Sequence, residues 1–541
     1  MADMAVRAQS QGKRGANLAA LPRQRTRCSV KARAQSNDGK RHHYDLVIVG
    51  CGVGGHGAAL HACERGMSVA VIEGGDVGGT CVNRGCVPSK ALLAASGRVR
   101  ELHDRMHLQQ LGVSVDNVSF DRAQLASHAN SLANTVRSNL SKSLSALGVD
   151  VLTGFARLEG PHTLSYGLPG RVDVGGEISA EHIMLATGSV PAVPPGIQVD
   201  GSTVLTSDDA LKLDWLPDWV GIIGSGYIGL EFSDIYTALG SEVTFIEALD
   251  RFMPGFDREI ARTAERKIIN PRPIEYRLNT LASSVTPGVP GSKPVEVELT
   301  DASSKEYLET LELDAVLVAT GRKPYSKGLN LGSCNVSTDK HGYIPCDEYM
   351  RVLDDSGEPV EGLWAIGDVN GKMMLAHAAS AQGVSAIETM QSSPRALDHN
   401  TVPAATFTHP EISFVGMTEE DARARADEEG FDVKTSKTSF KANSKALAEN
   451  EGDGMAKVVY NSSTGEILGV HIFGMHASDM IHEASNAIAA GQRVQDLKFN
   501  VHAHPTLSES LQESLQGAHV DPNDLLDVAT GSPSAPREVV A

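Results

Sequence analysis

Residues 44–55 have the sequence Tyr44-Asp45-Leu46-Val47-Ile48-Val49-Gly50-Cys51-Gly52-Val53-Gly54-Gly55. The first half is a short apolar run that ends at glycine, which is typical of a buried parallel strand. A helix is predicted over Ala58 to Ala62, and a second apolar strand over Ser68 to Ile72 ends at Glu73. This order of strand, Gly-x-Gly-x-x-Gly, helix, strand and acid predicts a Rossmann-like dinucleotide-binding unit.

The three glycines and the acid of this unit have separate predicted roles. Gly50 makes the tight turn, Gly52 lets the backbone approach a pyrophosphate, and Gly55 lets the helix pack closely on the strand. The helix N-terminus faces the phosphates, and Glu73 can accept a hydrogen bond from a ribose hydroxyl. Glu73 stands 23 positions after Gly50, close to the spacing that such a site requires.

The same order recurs farther along the chain. A predicted strand, Val220 to Ile223, precedes Gly224-Ser225-Gly226-Tyr227-Ile228-Gly229. A helix over Leu230 to Leu239 and a strand over Glu242 to Ile246 follow, and Glu247 again stands 23 positions after the first glycine. Two incidental glycine-rich turns are the alternative, which the matched strands, helices and acids disfavour. Two units call for two nucleotides, and a flavin with a nicotinamide is the economical interpretation.

The acid of the second unit bears on the choice of nicotinamide nucleotide. A carboxylate where the adenosine 2′-hydroxyl should lie repels a 2′-phosphate, so Glu247 predicts NAD rather than NADP. Arg251 lies four residues later and leaves NADP as the alternative.

Further segments extend the duplication beyond the glycines. Ile183-Met184-Leu185-Ala186-Thr187-Gly188-Ser189 is a predicted strand with a small-residue turn, and Leu317-Val318-Ala319-Thr320-Gly321-Arg322 repeats it after the second unit. Trp364 to Asp368 is another apolar strand with an acid at its end. Asp368 is a candidate partner for a flavin ribityl hydroxyl, and a helix cap or turn is the alternative.

The chain changes character near residue 400. Alternating or apolar runs at Pro403 to Thr408, Ala456 to Tyr460 and Ile467 to Phe473 precede a predicted helix over Asp479 to Ala490. This mixture indicates a separate α+β domain. Connecting loops and a strand-rich margin are predicted for two earlier segments, Gly255 to Pro273 and Ser283 to Pro294.

Two cysteines five positions apart lie in Gly78-Gly79-Thr80-Cys81-Val82-Asn83-Arg84-Gly85-Cys86-Val87-Pro88-Ser89-Lys90. A helix is predicted to start near Cys86 to Ser89, and its positive end would face the sulfurs. That setting lowers a thiol pKa and favours the thiolate that attacks disulfides. The pair therefore predicts a disulfide that is made and broken, with two ordinary buried thiols as the alternative.

Composition limits the class of protein. Apolar residues make up 41% of the chain and charged residues 21%, as in ordinary soluble globular proteins. No apolar run approaches the ~18 residues of a membrane helix, so no membrane span is predicted. Residues 1–40 carry nine Lys or Arg against two Asp, whereas the whole chain carries −19. The acidic remainder argues against nucleic-acid binding, and the basic head predicts an organelle transit peptide, with a merely disordered tail as the alternative.

Taken together, these motifs resemble the dihydrolipoamide dehydrogenases, flavoprotein disulfide reductases of the class I pyridine nucleotide-disulfide oxidoreductase family. The resemblance rests on Gly78 to Lys90, the two glycine units, Ala365-Ile366-Gly367-Asp368 and His502 to Glu509, and runs from about Tyr44 to Gln516. Phe245 to Asp257, with Asn270-Pro271-Arg272-Pro273, is similar to the plastid branch. This implies the chloroplast stroma, with the mitochondrial matrix as the alternative.

The resemblance implies catalytic roles for four residues. Cys81 is the interchange sulfur open to substrate, and Cys86 lies against the flavin. His504 exchanges the proton of the substrate thiol, and Glu509 holds the imidazole in one tautomer. In this family the histidine reaches the disulfide of the other subunit, so a homodimer is implied.

The resemblance also implies one FAD per subunit and NAD. Lys90 and Glu231 would pair near the flavin, with a routine buried ion pair as the alternative, and Tyr227 would cover the flavin, with core packing as the alternative. The predicted flavin-site residues are Gly50, Gly52, Gly55, Glu73, Lys90, Thr187, Gly188, Asp368, Met374, Ala376 and His377. The predicted NAD-site or flavin-adjacent residues are Gly224, Gly226, Tyr227, Gly229, Glu231, Glu247 and Gly321.

The implied function is oxidation of protein-bound dihydrolipoamide to lipoamide with NAD⁺ as acceptor, in a 2-oxoacid dehydrogenase complex. The plastid pyruvate dehydrogenase complex is the first expectation, and a glycine-cleavage or oxoglutarate system is the alternative. The implied partners are lipoyl domains and the acyltransferase core subunit. The alternatives are a related disulfide reductase with another substrate and a noncatalytic docking flavoprotein. The last cysteine is Cys346, so the C-terminal cysteine pair of mercuric reductases is not expected.

Histidines and cysteines lack metal-like spacing, so no metal is predicted, and His502 is expected to be structural. The predicted domains are a transit peptide or disordered head (1–40), an FAD-binding domain (41–210) completed by a return segment (336–400), an NAD-binding domain (211–335), a dimerisation domain (401–520) and a disordered tail (521–541).

Overall fold

The structure, a computed structural model, describes residues 43–169 and 171–520. The predicted head (1–40) and tail (521–541) lie outside these ranges. Within them the strands are β1 (His43–Val49), β2 (Val69–Glu73), β3 (Asp150–Thr153), β4 (Phe155–Gly160), β5 (Thr163–Leu168), β6 (Arg171–Leu185), β7 (Ser189–Pro191), β8 (Val204–Thr206), β9 (Trp219–Ile223), β10 (Glu242–Ile246), β11 (Ile274–Arg277), β12 (Thr280–Thr286), β13 (Val295–Asp301), β14 (Tyr307–Leu313), β15 (Ala315–Val318), β16 (Arg322–Pro324), β17 (Arg351–Leu353), β18 (Pro359–Ala365), β19 (Ala404–Thr406), β20 (Glu411–Gly416), β21 (Val433–Ser439), β22 (Met455–Asn461) and β23 (Ile467–Gly474).

The α-helices in the same ranges are α1 (Val53–Glu64), α2 (Gly79–Arg84), α3 (Cys86–His103), α4 (Arg105–Gln110), α5 (Arg122–Leu147), α6 (Ser207–Ala210), α7 (Tyr227–Leu239), α8 (Arg258–Ala264), α9 (Ala376–Met390), α10 (Glu419–Glu429), α11 (Ser444–Ala448), α12 (Ala477–Ala489), α13 (Val494–Leu497) and α14 (Glu509–Gln516). A π-helix, Glu265–Ile269, continues α8. Short 3₁₀ helices are Leu331–Cys334, Gly367–Asn370, His399–Thr401 and Phe440–Ala442.

The two glycine units build two separate sheets. The first sheet has the order β17-β18-β6-β1-β2-β3, with β5 also paired to β6 and β4 to β5. The second has the order β11-β10-β9-β15-β8, and all its strands run parallel. In both sheets the strand before the glycine turn pairs in parallel with the strand that ends at the acid. The carboxyl ends of these strands therefore bring the turn and the acid together.

The C-terminal part forms an antiparallel sheet of order β19-β20-β23-β22-β21. Helices α12 and α14 pack on it through a core that includes Ile472, Ile481 and Leu511. One apolar core also crosses from the second parallel sheet into this domain, because Phe252 and Phe256 join Ile412 and Phe473 in a single cluster. The C-terminal domain is thus packed directly against the second glycine unit.

One element differs from the sequence prediction. Gly255 to Pro273 is predicted to be a connecting loop, but residues 258–269 form α8 and the π-helix. Asp257 caps the start, since its carboxylate accepts hydrogen bonds from the backbone of Glu259 (3.0 Å) and Ile260 (3.4 Å). Ile260, Ala264 and Ile268 then share a buried face at helical spacing. The prolines at both ends obscure that pattern in the sequence.

Candidate active site

The carboxyl ends of the parallel strands in the two sheets border one cavity of about 2490 Å³. A pocket for a single small ligand measures about 300–1,000 Å³, so this cavity has room for two nucleotides. The predicted site residues that line it are Gly50, Gly52, Glu73, Cys81, Cys86, Lys90, Thr187, Gly188, Gly224, Gly226, Tyr227, Glu231, Glu247, Gly321, Asp368, Met374, Ala376 and His377. Four other predicted residues, all in the described part of the chain, lie outside its lining: Gly55, Gly229, His504 and Glu509.

The two cysteines lie on consecutive helices. Cys81 is in α2, and Cys86 is the first residue of α3, as the predicted helix start required. The hydrogen bond that the Cys81 thiol donates to Cys86 is the main cause that lowers the Cys86 pKa to about 7, and Lys90 assists against the effect of burial. The same hydrogen bond and burial raise the pKa of Cys81. In the reduced pair, Cys86 therefore loses its proton before Cys81.

Lys90 follows Cys86 by one turn of α3 and reaches across to α7. Its Nζ contacts both carboxylate oxygens of Glu231, at 2.8 and 2.9 Å. It also lies 4.3 Å from the centre of the Phe407 ring, a cation–π contact. The backbone N–H of Phe407 donates to Glu231 as well (3.2 Å). Helix α3, the second glycine unit and the C-terminal domain thus meet beside the cysteines.

The glycine turns of the two units have the same geometry. Gly50 has φ +102° and Gly224 has φ +101°, a region that favours glycine. A Cβ on Gly50 would lie 2.5 Å from the carbonyl oxygen of Ala186, and one on Gly224 would lie 2.6 Å from that of Ala319. The segments that repeat Ala-Thr-Gly are therefore packed directly on the two turns.

The third glycine of each unit serves packing. A Cβ on Gly55 would lie 2.1 Å from the oxygen of Gly50, and one on Gly229 would lie 2.3 Å from that of Gly224. By contrast, a Cβ on Gly226 would meet no described protein atom within 4 Å, because this glycine faces the cavity. Such an open backbone at a helix N-terminus fits a pyrophosphate.

Each acid is bound to its own glycine turn. Glu73 accepts a hydrogen bond from the backbone N–H of Cys51 at 2.6 Å, and Glu247 accepts one from Ser225 at 2.9 Å. The Ser225 hydroxyl donates a second bond to Glu247 (2.7 Å). Both carboxylates line the cavity, where a ribose hydroxyl can donate to the remaining lone pairs.

Arg322 is a site residue for which sequence reasoning predicts no role. It follows the second Ala-Thr-Gly, is half-buried, and donates from Nε to the Ser189 hydroxyl (2.8 Å), which itself donates to Asp368. Its Nη2 lies 3.5 Å from the Thr80 hydroxyl, next to Cys81. Burial lowers the Arg322 pKa, while Asp208 and Asp368 oppose this. One sequence signal could have indicated Arg322: the first Ala-Thr-Gly is followed by Ser189, but the second is followed by an arginine.

His504 and Glu509 form a pair at the surface of the C-terminal domain. The His504 Nδ1 donates to Glu509 at 2.9 Å, and the histidine side chain is 69% exposed. The backbone N–H of Thr506 and then His504 lower the pKa of Glu509. His502, expected to be structural, donates to Glu483 (2.9 Å). The structure therefore brings the two predicted residues together, but neither of them lines the cavity of its own chain.

Metal clusters and membrane-spanning helices are both missing from the described residues. No group of three or more His, Cys, Asp or Glu in the described ranges is arranged to hold a metal ion. Among the described helices, none is long and apolar enough to cross a membrane.

Comparisons with known proteins show the family to which the chain belongs. Residues 44–383 match the family model described as pyridine nucleotide-disulphide oxidoreductase, and residues 402–515 match its dimerisation domain. Dihydrolipoyl dehydrogenase 2, chloroplastic, from Arabidopsis thaliana is 58% identical over 503 residues, covering 92% of this chain and 87% of the relative. Dihydrolipoyl dehydrogenase from Synechocystis is 56% identical over 475 residues, covering 88% and 98%.

Solved structures share this fold at lower sequence identity. LpdA from Mycobacterium tuberculosis is 28% identical with a TM-score of 0.78, covering 88% of this chain and 99% of that chain. The Cu(II) complex of the HOCl-induced flavoprotein disulfide reductase RclA from Escherichia coli is 27% identical with a TM-score of 0.75, at the same coverage. The predicted fold class, with two Rossmann-like units and a C-terminal α+β domain, is confirmed. The chain belongs to the pyridine nucleotide-disulphide oxidoreductase family and, within it, to the dihydrolipoyl dehydrogenases.

Proposed function

We propose that this chain oxidises protein-bound dihydrolipoamide to lipoamide and passes the electrons through Cys81 and Cys86, and then FAD, to NAD⁺. The observation that carries this function is the cysteine pair at the start of α3, in one cavity with both glycine turns. Three redox groups that must exchange electrons in sequence have to share such a space.

The exchange with substrate uses the cysteine pair in its disulfide form. A substrate thiolate attacks the Cys81 sulfur, the bond between Cys81 and Cys86 breaks, and Cys86 leaves as a thiolate. The second substrate thiolate then attacks the first substrate sulfur and releases Cys81, so lipoamide is formed and two electrons stay on the cysteine pair. A leaving thiol of low pKa leaves faster, which fits the Cys86 pKa of about 7.

Bound FAD supplies a two-electron carrier between this dithiol and NAD⁺. Gly50, Gly52 and Glu73 would hold its adenosine and pyrophosphate, and Asp368 its ribityl chain. Lys90 would lie beside the isoalloxazine, where Glu231 and Phe407 fix its ammonium. Tyr227 would cover the nicotinamide side, where it packs against Phe256 with the ring centroids 5.3 Å apart.

The nucleotide that fits the second unit is NAD. Glu247 lines the cavity. Arg251 gives the alternative, NADP, little support, because its guanidinium already contacts other protein groups. Arg251 pairs with Glu420 (3.2 Å) and donates to the carbonyl of Pro254 (2.9 Å). The Glu247 carboxylate would repel a 2′-phosphate, and the Arg251 guanidinium is not free to neutralise it.

The proton exchange requires a second copy of the chain. His504 and Glu509 are built as a pair but do not line the cavity of their own chain, and the match to a dimerisation domain supports a homodimer. We infer that His504 of each subunit serves the cysteine pair of the other.

We also propose the domain division 41–210 with 336–400 for FAD, 211–335 for NAD and 401–520 for dimerisation.

Steady-state assays of the flavin-loaded protein test this function. Turnover with dihydrolipoamide and NAD⁺ is expected, with little or none with glutathione disulfide and NADPH. Activity with the second pair alone would instead indicate a related disulfide reductase. No turnover with either pair, despite bound flavin, would indicate a docking flavoprotein.

We further propose that the enzyme works in the chloroplast stroma with the lipoyl domains and acyltransferase core of a plastid pyruvate dehydrogenase complex. The chloroplastic relative and the basic head support this. A fluorescent reporter fused to residues 1–42 should enter plastids, and a mitochondrial signal would contradict the proposal.

A further inference from the structure

A buried charge cluster joins the second glycine unit to the C-terminal domain. Lys457, on β22, is 1% exposed, and its Nζ lies 2.9 Å from the Oδ1 of Asp257 and 3.0 Å from its Oδ2. Glu419 lies 2.7 Å from the same ammonium, and Glu259 lies 3.4 Å from it. A lysine is almost never this buried unless it is paired, and the proposed catalytic steps leave the cluster unused.

Asp257 ends the loop that follows the acid of the second unit. One carboxylate oxygen caps α8, and the other accepts the backbone N–H of Glu419 at 3.1 Å. Burial disfavours the charge of Lys457, but the bonds to Glu419 and Asp257 outweigh this and raise its pKa. The last residue of loop 248–257, Asp257, is thus held by an ion pair with Lys457 of the C-terminal domain.

The same loop touches the nicotinamide site at two points. The Phe256 ring packs on Tyr227, with the centroids 5.3 Å apart, and on Phe414 of β20 at 5.9 Å. The backbone N–H of Met253 donates to the Ser225 hydroxyl (3.1 Å), which itself donates to Glu247. The position of the loop therefore affects both the covering tyrosine and the ribose-binding acid.

We propose that Lys457 is a positioning residue for NAD⁺ binding: by holding Asp257 it fixes loop 248–257, and through that loop it sets Tyr227 and Glu247. This inference rests on the proposed nicotinamide site. Lys457 does not line the cavity and acts on the nucleotide only through these intermediaries. Its loss should weaken NAD⁺ binding and leave the exchange at the cysteines intact.

The test is Lys457→Met in the flavin-loaded enzyme. Titration calorimetry should show the Kd of NAD⁺ raised by about 2- to 30-fold, the range expected when a coupled contact network is loosened. Stopped-flow reduction of the flavin by dihydrolipoamide should stay within about twofold of the parent rate. An unchanged Kd, or an equal loss in both measurements, would overturn the proposal.

Lys437→Met is the matched control. Lys437 lies directly opposite Lys457 on β21 and pairs with Glu259 at 2.7 Å, but its side chain is 45% exposed. The same substitution there should leave the Kd of NAD⁺ unchanged, because an exposed pair of this kind contributes little. A rise equal to that of Lys457→Met would show a general effect of lost charge and overturn the proposal.

The double variant Lys457→Met with Asp257→Asn separates positioning from stability. Lys457→Met leaves the buried Asp257 carboxylate without its ammonium partner, and Asp257→Asn removes that negative charge. The melting temperature should therefore recover toward that of the parent, while the Kd of NAD⁺ stays raised. Recovery of both would overturn the proposal. If Lys457→Met does not fold, Phe256→Leu decides, since it removes the ring on Tyr227: a raised Kd with parent-like flavin reduction supports the proposal, and an unchanged Kd overturns it.

If the parent enzyme itself were not reduced by dihydrolipoamide, the proposed function would fail. The Kd comparison among the variants would still decide the role of Lys457.

Discussion

The two glycine units share their turn, helix and acid, but differ in the segment that comes after the acid. After Glu73 the chain turns back within a few residues to Gly78 and Gly79, so that a Cβ on Gly79 would lie 2.7 Å from the Cα of Gly52. Helix α2, with Cys81, thus lies directly on the first turn. After Glu247 the chain instead enters loop 248–257, which the C-terminal domain holds through Asp257.

This difference assigns different tasks to two copies of one motif. In the first unit, the two cysteines proposed to react with substrate lie in the segment that covers the nucleotide site. The second unit carries no such group, and its covering segment is the loop with Phe256, which contacts Tyr227. Chemistry and nucleotide exchange should therefore be separable by mutation.

The strongest separation is expected at Cys86. Cys86→Ser should lower dihydrolipoamide turnover by about 10³-fold or more, because without Cys86 the disulfide that the substrate reduces does not form. Electron transfer from NADH to ferricyanide should continue, because it bypasses the cysteine pair. Both rates are measured on the flavin-loaded variant. Cys334→Ala, at a buried thiol in the core of the first sheet, is the control and should change neither rate.

A smaller loss is expected at His504, the proposed base. His504→Gln should lower dihydrolipoamide turnover by about 10²-fold, within the range for general base catalysis, and leave ferricyanide reduction by NADH at the parent rate. His519→Gln, an exposed histidine of the same domain, should be silent. Parent-like dihydrolipoamide turnover in His504→Gln would remove the basis for a base supplied by the other subunit.

The two acids give a direct comparison of the units. Glu247→Ala should raise the Kd of NAD⁺ by about 10- to 100-fold, the value of one charged hydrogen bond, with flavin content unchanged. Glu73→Ala should instead lower the flavin content of the purified protein. Titration calorimetry and the visible absorbance ratio measure the two effects. If either substitution produced the effect expected of the other, the assignment of the two nucleotides would be reversed.

Residue types were predictable wherever local geometry demands them. The turns at Gly50 and Gly224 require positive φ, so the sequence shows both, whereas the pair His504–Glu509 came from the family resemblance although only five positions separate the two residues. The cysteine pair was likewise visible from its spacing and from the helix start at Cys86. These features depend on short chain segments whose conformation the sequence nearly dictates.

Contacts between distant segments were not predictable in this way. Lys90 and Glu231 are 141 residues apart, and only the family resemblance suggested their pairing. Lys457 and Asp257 are 200 apart, and nothing in either segment predicts a buried lysine. Burial of such groups is set by how domains pack, which periodicity within one segment does not report.

The lowered pKa of the Cys86 thiol provides a further prediction. Because the Cys86 pKa is lowered from 9.0 to about 7, alkylation of the reduced enzyme by iodoacetamide should rise with pH through a midpoint near that value. Lys90 favours the thiolate, so Lys90→Met should move the midpoint to higher pH and slow alkylation at pH 7. The pH profile of the alkylation rate measures both. Arg98→Met, at an exposed position of the same helix, should keep the parent midpoint.

The smallest effect is expected at the residue between the first two glycines of each unit. Ser225 donates to Glu247 and accepts from Met253, so Ser225→Ala leaves a buried N–H without its acceptor and should destabilise folding by about 1–3 kcal/mol. Cys51 fills the matching position as a buried thiol whose pKa burial raises to about 12. Cys51→Ala removes one sulfur and should cost about 1 kcal/mol or less, since it leaves the carboxylate of Glu73 with its backbone donor. Urea unfolding of both variants measures the difference, and NAD⁺ titration should show a severalfold rise in Kd for Ser225→Ala alone. Equal costs would mean that the serine contacts do not tie the loop to the acid, and that the two units differ less than their covering segments indicate.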